Sequence, residues 1–135
     1  MGYTHYWRQQ RSLNSKEWKS LCDEARRVIK EAEFKGIPLA GGDGTGIPVV
    51  NNKRIVLNGD ARSGDDHETF FVTQTQEPPR SYQSDPNEGT FSFCKTACKP
   101  YDAVVVTILA HMRDIDPPAF KVSSDGGDEA IKKEL

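Results

Sequence analysis

The sequence predicts an α+β fold, in which an antiparallel sheet of about four strands carries two helices packed on one face. Three observations lead to this class. A short aromatic run at the start of the chain is typical of a strand, and a long amphipathic segment follows it. Further short runs rich in β-forming residues then precede a second apolar stripe with helical spacing. Because the elements come in the order strand, helix, strands, helix, a sheet covered by helices is the simplest way to bury both stripes.

Start and stop signals bound the first predicted helix. Asn14 followed by Glu17 resembles a capping box, and Gly36 with Pro38 ends the helix. Between these signals the apolar residues fall on one helical stripe, and charged residues occupy the opposite face. The stripe consists of Trp18, Leu21, Cys22, Ala25, Val28, Ile29 and Ala32.

The remaining elements follow from shorter patterns. A second helix is predicted over residues 101–113, with Pro100 in its first turn, although its Val104-Val105-Val106 run equally suits a buried strand. Strands are predicted at residues 3–8, 54–57, 69–73 and 90–95. We expect one domain over residues 1–135, with a long polar loop at 74–89 that acts as a lid and a charged tail at 128–135 that forms a short helix or frays.

Composition excludes several classes of partner. Eighteen basic and twenty acidic residues give a net charge of −2. The chain therefore lacks the excess of positive charge that is typical of proteins binding DNA or RNA as a bulk partner. The sequence contains neither a stretch of roughly 20 apolar residues typical of a membrane span nor the pattern of a signal peptide. Three cysteines are a poor basis for a disulfide framework, so reduced thiols are expected. We therefore expect a cytoplasmic protein without a membrane partner.

A glycine-rich run follows the first predicted helix. Residues 41–46 read Gly-Gly-Asp-Gly-Thr-Gly, and four glycines in six positions let a backbone come very close to another molecule. The run is neither a P-loop nor a dinucleotide fingerprint, because the final lysine is missing and a helix precedes it. It can still form a concave nest of N–H groups for an anion. A flexible connection between two elements is an equally weighted interpretation.

A second polar region spans residues 60–69, where Asp60, Asp65, Asp66, His67 and Glu68 lie within nine positions. Such a cluster suits a divalent metal or a histidine acting as general acid or base, but solvated turns commonly have the same composition. His67-Glu68-Thr69 also matches one half of the His-x-Thr pair used by two-histidine phosphoesterases. The second half is missing from the chain. We expect no metal ion and no cofactor.

If the polar loops meet at one end of the fold, they form a pocket for a small molecule. Lysines would neutralise phosphate, Asp43 or Asp102 would accept from hydroxyls or amines, and Tyr3, Trp7 or Tyr101 would stack on a base. The predicted ligand-binding residues are Gly41, Gly42, Asp43, Gly44, Thr45, Asn58, Asp60, His67, Thr69, Lys95, Thr96, Lys99, Tyr101 and Asp102.

Several of these segments also carry a family resemblance that covers nearly the whole chain. The opening Met-Gly-Tyr-Thr-His-Tyr-Trp, with residues 41–46, 58–60, 66–70, 93–97 and 99–102, resembles a family of small uncharacterised phage and prophage proteins. The resemblance implies a viral setting, in the cytoplasm of an infected or lysogenic bacterium. Small phage proteins with a polar pocket include sponges that sequester nucleotide immune signals such as cyclic oligonucleotides or cyclic ADP-ribose isomers.

The leading functional hypothesis is accordingly a non-catalytic protein that captures a nucleotide-derived signal and counters antiviral defence. A homo-oligomer is expected, because sites shared between subunits bury a ligand well. One alternative is a phosphoesterase that acts on such nucleotides through His67 and Thr69, with or without a divalent metal. Another is an inhibitor whose acidic loops bind a host protein.

Overall fold

The computed structural model describes residues 3–78 and 89–135, and these form two helices and seven strands. The helices are α1 (Ser15–Phe34) and α2 (Asp102–Arg113). The strands are β1 (Thr4–Gln9), β2 (Leu39–Ala40), β3 (Val49–Val50), β4 (Arg54–Gly59), β5 (Phe70–Thr73), β6 (Thr90–Lys95) and β7 (Phe120–Ser124). Most of the predicted loop at 74–89 lies outside the described residues.

The strands form two antiparallel sheets. One has three strands in the order β6-β1-β7, and the other has four, with β4 pairing to β2, β3 and β5. The α+β class is therefore confirmed, and all four predicted strands are present. The single sheet of about four strands is corrected to two sheets, because the predicted strands pair in separate groups: β1 pairs with β6 and with β7, which was not predicted, and β4 pairs with β5 and with the two-residue strands β2 and β3. Helix α1 contacts α2, β2 and β3, and α2 contacts β7. The packing of both helices on one face stays a prediction.

Helix α1 begins and ends as its signals predict. The N–H of Glu17 donates to Asn14 Oδ1 over 2.8 Å, and the N–H of Asn14 donates to Glu17 Oε1 over 3.0 Å, which completes the capping box. The chain leaves the helix through Gly36, whose φ of 78° lies in the left-handed region. The predicted stripe is buried, apart from the partly buried Ile29.

The valine run at residues 104–106, which suits either a helix or a buried strand, is helical and lies in α2. Every residue from Val104 to Ala110 is buried, whereas Asp102 and Arg113 at the two ends of the helix are not. Because the middle of the helix is buried on every side, it shows no polar face, which explains why its sequence also resembles a strand. Among the described residues, no helix is both long enough and apolar enough to cross a bilayer.

One cluster of buried side chains includes residues from both sheets and both helices. Trp7 of β1 and Phe70 of β5 meet across the two sheets, with ring centroids 5.2 Å apart. The C-terminal tail joins this core: Ile131 is buried, and the N–H groups of Glu134 and Leu135 donate to Thr107 Oγ1 at 3.0 and 3.2 Å. The tail thus forms a short 3₁₀ turn at Asp128–Ala130 and docks on α2 rather than fraying.

Candidate functional site

Three loops meet at one end of the fold. We call them the glycine loop (residues 41–46), the acidic loop (60–69) and the lysine turn (95–102), and their common surface the loop face. The N–H of Asp43 donates to Thr69 Oγ1 over 3.0 Å, which joins the first loop to the second. The imidazole of His67 bonds to the carbonyl of Lys95 over 2.8 Å, and Lys99 Nζ donates to the carbonyl of Gly64 over 3.1 Å. The loops predicted to form a pocket therefore lie in contact.

Asn58, the penultimate residue of β4, holds the acidic loop in place. Its side chain is completely buried. The amide oxygen accepts from the N–H groups of Gly59 (2.7 Å) and His67 (3.0 Å), and the amide nitrogen donates to His67 O (2.9 Å) and Thr69 Oγ1 (3.2 Å). Three of these four hydrogen bonds join Asn58 to the acidic loop, and the fourth is to Gly59 at the end of β4. Asn58, predicted as a ligand contact, is thus a support beneath the loop face.

The acidic loop also requires the glycine that follows Asn58. A Cβ placed on Gly59 would lie 1.9 Å from the carbonyl oxygen of Asp65, so only glycine fits where the loop crosses the strand. Asp60 then accepts from the N–H of Arg62 over 3.1 Å, which is a turn contact. Within the described residues, no three His, Cys, Asp or Glu side chains are grouped so that they could hold a metal ion.

The glycine loop is a short 3₁₀ turn, Gly42–Gly44, whose glycines fit against the rest of the protein. A Cβ on Gly44 would lie 2.9 Å from Cβ of Asp66, and one on Gly41 would lie 2.4 Å from the carbonyl oxygen of Ile47. The N–H groups of Gly41, Asp43, Gly44 and Thr45 all donate to protein acceptors. The nest of free N–H groups expected from the sequence is therefore not formed by these four. The exposed residues of this loop are Asp43, Thr45 and Gly46, so the charge that it presents to solvent is the carboxylate of Asp43.

His67 is exposed and has a defined tautomer. A carbonyl oxygen only accepts, so the contact of Nδ1 with Lys95 O places the proton of the neutral ring on Nδ1. The lone pair then lies on Nε2 of an exposed side chain. His67 can accordingly accept a hydrogen bond from a ligand or take a proton from it.

Tyr101 belongs to the lysine turn, and its side chain is buried beneath the loop face. Its phenol donates to the carbonyl of Glu68 over 2.6 Å, and burial raises the pKa of this phenol above its ordinary value. Cys94 contacts the same carbonyl, and burial raises the pKa of its thiol to about 12. The Tyr101 ring is completely buried and Trp7 is 3% exposed, so neither offers a free face for a base. The expectation that these two rings stack on a ligand is corrected on this point.

A buried histidine links the lysine turn to the opposite edge of the three-stranded sheet. His5 Nε2 bonds to Asp102 Oδ1 over 2.6 Å, and His5 Nδ1 bonds to Ser124 Oγ over 2.8 Å. Thr96 Oγ1 donates to the same Asp102 oxygen over 2.5 Å. Because a carboxylate accepts, the proton of neutral His5 lies on Nε2. The ring of Tyr3 meets that of His5 edge-on, at 5.0 Å between centroids.

Sequence reasoning placed Thr96 and Asp102 in the site but missed His5. The alternation of β1 indicates that His5 shares the buried face with Trp7, and a buried histidine needs hydrogen-bond partners. That signal was present in the sequence. Ser124, the second partner of His5, lies at the end of β7, a strand that no sequence pattern predicted.

Backbone strain is concentrated on the loop face. Among the described residues, the non-glycine positions with positive φ are Asp43 (60°), Ala97 (52°) and Cys98 (59°). The N–H of Lys99 donates to the carbonyl of Thr96 over 3.0 Å, so Ala97 and Cys98 are the central pair of a tight turn. Glycine, asparagine or aspartate normally occupies such a pair. Alanine and cysteine pay a conformational cost there, so the surrounding structure imposes this turn.

Comparison with protein-family models, with curated proteins and with solved structures gave no match. The fold and the site together define a small α+β protein with a polar face built by three interlocked loops.

Proposed function

We propose that this protein binds and sequesters a nucleotide-derived small molecule on the loop face and leaves the molecule chemically unchanged. The observation that supports this most is the location of the strained residues. Asp43, Ala97 and Cys98 belong to the two loops that flank the acidic loop. Conformations of this kind cost roughly 1–3 kcal/mol each and cluster at ligand-binding and active sites.

The groups at this face suit a ligand that combines phosphate with hydroxyl or amine groups. Lys95 and Lys99 supply positive charge from the lysine turn, and Lys99 is positioned by its bond to Gly64 O. The exposed carboxylate of Asp43 accepts from ribose hydroxyls or from an exocyclic amine. His67 accepts through Nε2. A simple inorganic anion would be repelled by Asp43, so the mixed chemistry favours a nucleotide over free phosphate.

The resemblance to phage and prophage proteins supplies the biological setting of the proposal. In the cytoplasm of an infected or lysogenic bacterium, capture of a cyclic oligonucleotide or an ADP-ribose-type signal would counter antiviral defence. The binding species is a homo-oligomer in this proposal, because shared sites enclose small ligands more completely.

One incubation tests this proposal. The protein is mixed at equal concentration with cyclic di-AMP, cyclic GMP–AMP or ADP-ribose and filtered, and the retained fraction is heat-denatured and analysed by chromatography. We expect one of these ligands to be retained and returned intact. The Asp43→Ala and Lys99→Ala variants should each bind at least tenfold more weakly, and Lys30→Ala, a lysine exposed on α1, should bind like wild type. Retention of none of the three ligands would contradict the proposal.

A phosphoesterase is the second candidate, favoured by the fixed tautomer of His67. In this reaction Nε2 takes a proton from water as the water oxygen attacks phosphorus, the P–O bond to the leaving oxygen breaks, and the imidazolium returns the proton to that oxygen, so the alcohol leaves and His67 is neutral again. The partner histidine of a two-histidine site is not supplied by His111, which bonds to Ser20 of α1 over 3.1 Å. New products in the incubation, abolished by His67→Ala, would support this enzyme over the sponge.

A further inference from the structure

A hydroxyl, an imidazole and a carboxylate form a hydrogen-bonded chain at one end of the three-stranded sheet. Ser124 lies at the end of β7, His5 near the start of β1 and Asp102 at the start of α2, so folding brings them together from distant parts of the sequence. Ser124 Oγ is 2.8 Å from His5 Nδ1, and His5 Nε2 is 2.6 Å from Asp102 Oδ1. These three groups in this order are the parts of a nucleophilic triad.

The direction of each hydrogen bond in this chain suits activation of the hydroxyl. Because the Asp102 carboxylate accepts, the neutral ring of His5 carries its proton on Nε2 and its lone pair on Nδ1. The hydroxyl of Ser124 therefore donates to Nδ1. In serine proteases it is Nε2 that faces the serine, so the ring is reversed here. Either nitrogen serves as the base when the other donates to the carboxylate.

The base and the carboxylate are held in place by their surroundings. His5 is completely buried, and the ring of Tyr3 meets it edge-on at 5.0 Å between centroids. The hydroxyl of Thr96 donates to the Asp102 oxygen that His5 contacts, over 2.5 Å. Preorganisation of this kind lets a base act without first rearranging its neighbours.

Ser124 is the end of the chain that is not fully buried, and further donors surround its oxygen. The N–H of Gly126 donates to Ser124 Oγ over 3.1 Å. A Cβ on Gly126 would lie 2.4 Å from the hydroxyl of Tyr3, so glycine is needed for the phenol to approach this turn. The pKa of the Tyr3 phenol is raised, mainly by burial and against a hydrogen bond with Ser124, so the phenol keeps its proton near neutral pH. Both groups can stabilise negative charge that develops on the serine oxygen.

The charges that follow Ser124 in the chain indicate the class of electrophile. Asp125, Asp128 and Glu129 are all exposed. Their negative charge repels a phosphate ester and does not repel an uncharged carboxylic ester. The site therefore suits acyl transfer better than phosphoryl transfer.

We propose that Ser124 is a nucleophile activated by His5 and Asp102, and that it hydrolyses uncharged carboxylic esters. Ser124 Oγ attacks the carbonyl carbon while its proton passes to His5 Nδ1. The C–O bond of the ester breaks, and the imidazolium gives this proton to the leaving alcohol oxygen. Water then attacks the acyl-serine carbonyl as His5 takes its proton. The bond to Ser124 Oγ breaks, that oxygen receives the proton from His5, and the carboxylic acid leaves.

This activity goes beyond ligand capture at the loop face. It uses His5 and Ser124, which the proposed capture leaves without a function. It also assigns Asp102 to the orientation of His5, where the sequence predicted a direct contact with a ligand.

The test is labelling with a biotinylated alkyl fluorophosphonate, which forms a bond from phosphorus to an activated serine oxygen with loss of fluoride. We expect a single adduct, located at Ser124 by fragmentation of the tryptic peptide 122–132, and none in Ser124→Ala. Asp102→Asn should slow labelling by roughly a hundredfold or more, because an amide does not fix the proton on His5 Nε2 as a carboxylate does. Hydrolysis of p-nitrophenyl acetate should fall in parallel.

Ser123 provides the matched control. It is the exposed neighbour of Ser124 on the same strand and its side chain lies on the opposite face, so Ser123→Ala should be labelled like wild type. Circular dichroism of each variant confirms that it is folded. No adduct on the wild type with millimolar probe, an adduct at another residue in place of Ser124, or wild-type labelling of Asp102→Asn would each overturn the inference. Because no nucleotide is present, these outcomes leave the capture proposal to its own test.

Discussion

Replacing Asn58 with alanine should destabilise the protein and loosen the loop face at the same time. The side chain is completely buried, and its oxygen accepts from the N–H groups of Gly59 and His67. Alanine leaves both donors without that acceptor. It also removes the two bonds that the amide nitrogen makes to His67 O and Thr69 Oγ1.

The size of the effect follows from those contacts. A buried polar group left unsatisfied costs about 1–3 kcal/mol, so two such donors give a loss of roughly 3 kcal/mol after some relaxation. This is a large part of the roughly 5–15 kcal/mol by which a domain is stable. At about 4 °C per kcal/mol for a chain of this size, Tm should fall by roughly 12 °C.

Thermal and urea unfolding, followed by circular dichroism, measure both quantities. Asn52→Ala is the matched control, because Asn52 is exposed, and its free energy of unfolding should change by less than about 0.5 kcal/mol. A loss of under about 1 kcal/mol for Asn58→Ala would refute the role of Asn58 as the support of the acidic loop.

Three further predictions concern stability. Gly44→Ala should cost more than Gly46→Ala, because both positions have positive φ but only at Gly44 would the new Cβ meet other atoms; equal Tm values for the two variants would contradict this packing. Ala97→Gly should raise the free energy of unfolding by about 0.5–1 kcal/mol, since glycine adopts φ near 52° without strain. If urea unfolding gave the variant a free energy of unfolding below that of wild type, the turn would not be strained. The Arg11 guanidinium and a backbone N–H lower the pKa of Glu17 from 4.5 to about 2, so its contribution to stability is complete above pH 4.5 and is lost as the pH falls through 2. The Tm difference between wild type and Glu17→Gln should therefore shrink over that range, and a difference independent of pH would argue against the ion pair.

The parts of the fold that sequence predicted are those with a local signal. The capping box at Asn14 and the stripe of α1 specify a helix without reference to the rest of the chain. Strands β1, β4, β5 and β6 have enough β-forming residues to be recognised. The two-residue strands β2 and β3 exist only because β4 pairs with them, and no local pattern predicts such short pairings.

The candidate site shows the same division. Which loops are polar is visible in the sequence, and the loops do meet. Whether a side chain in these loops can contact a ligand depends on whether it is buried or exposed, and the sequence alone does not show this. Asn58 and Tyr101 are buried supports, whereas Asp43 and His67 are exposed. The alternation of β6 also indicates that Phe91, Phe93 and Lys95 share one face, and the register with β1 agrees with it.

The central claim is that a nucleotide-derived ligand binds where the three loops meet. The most direct measurement is a titration of the ¹⁵N-labelled protein with cyclic di-AMP, cyclic GMP–AMP and ADP-ribose, monitored by ¹⁵N–¹H correlation spectra. We predict saturable shifts for one of these ligands, concentrated in the amides of residues 41–46, 60–69 and 95–102. Shifts confined to other parts of the chain, or no shift with any of the three ligands at millimolar concentration, would contradict the account.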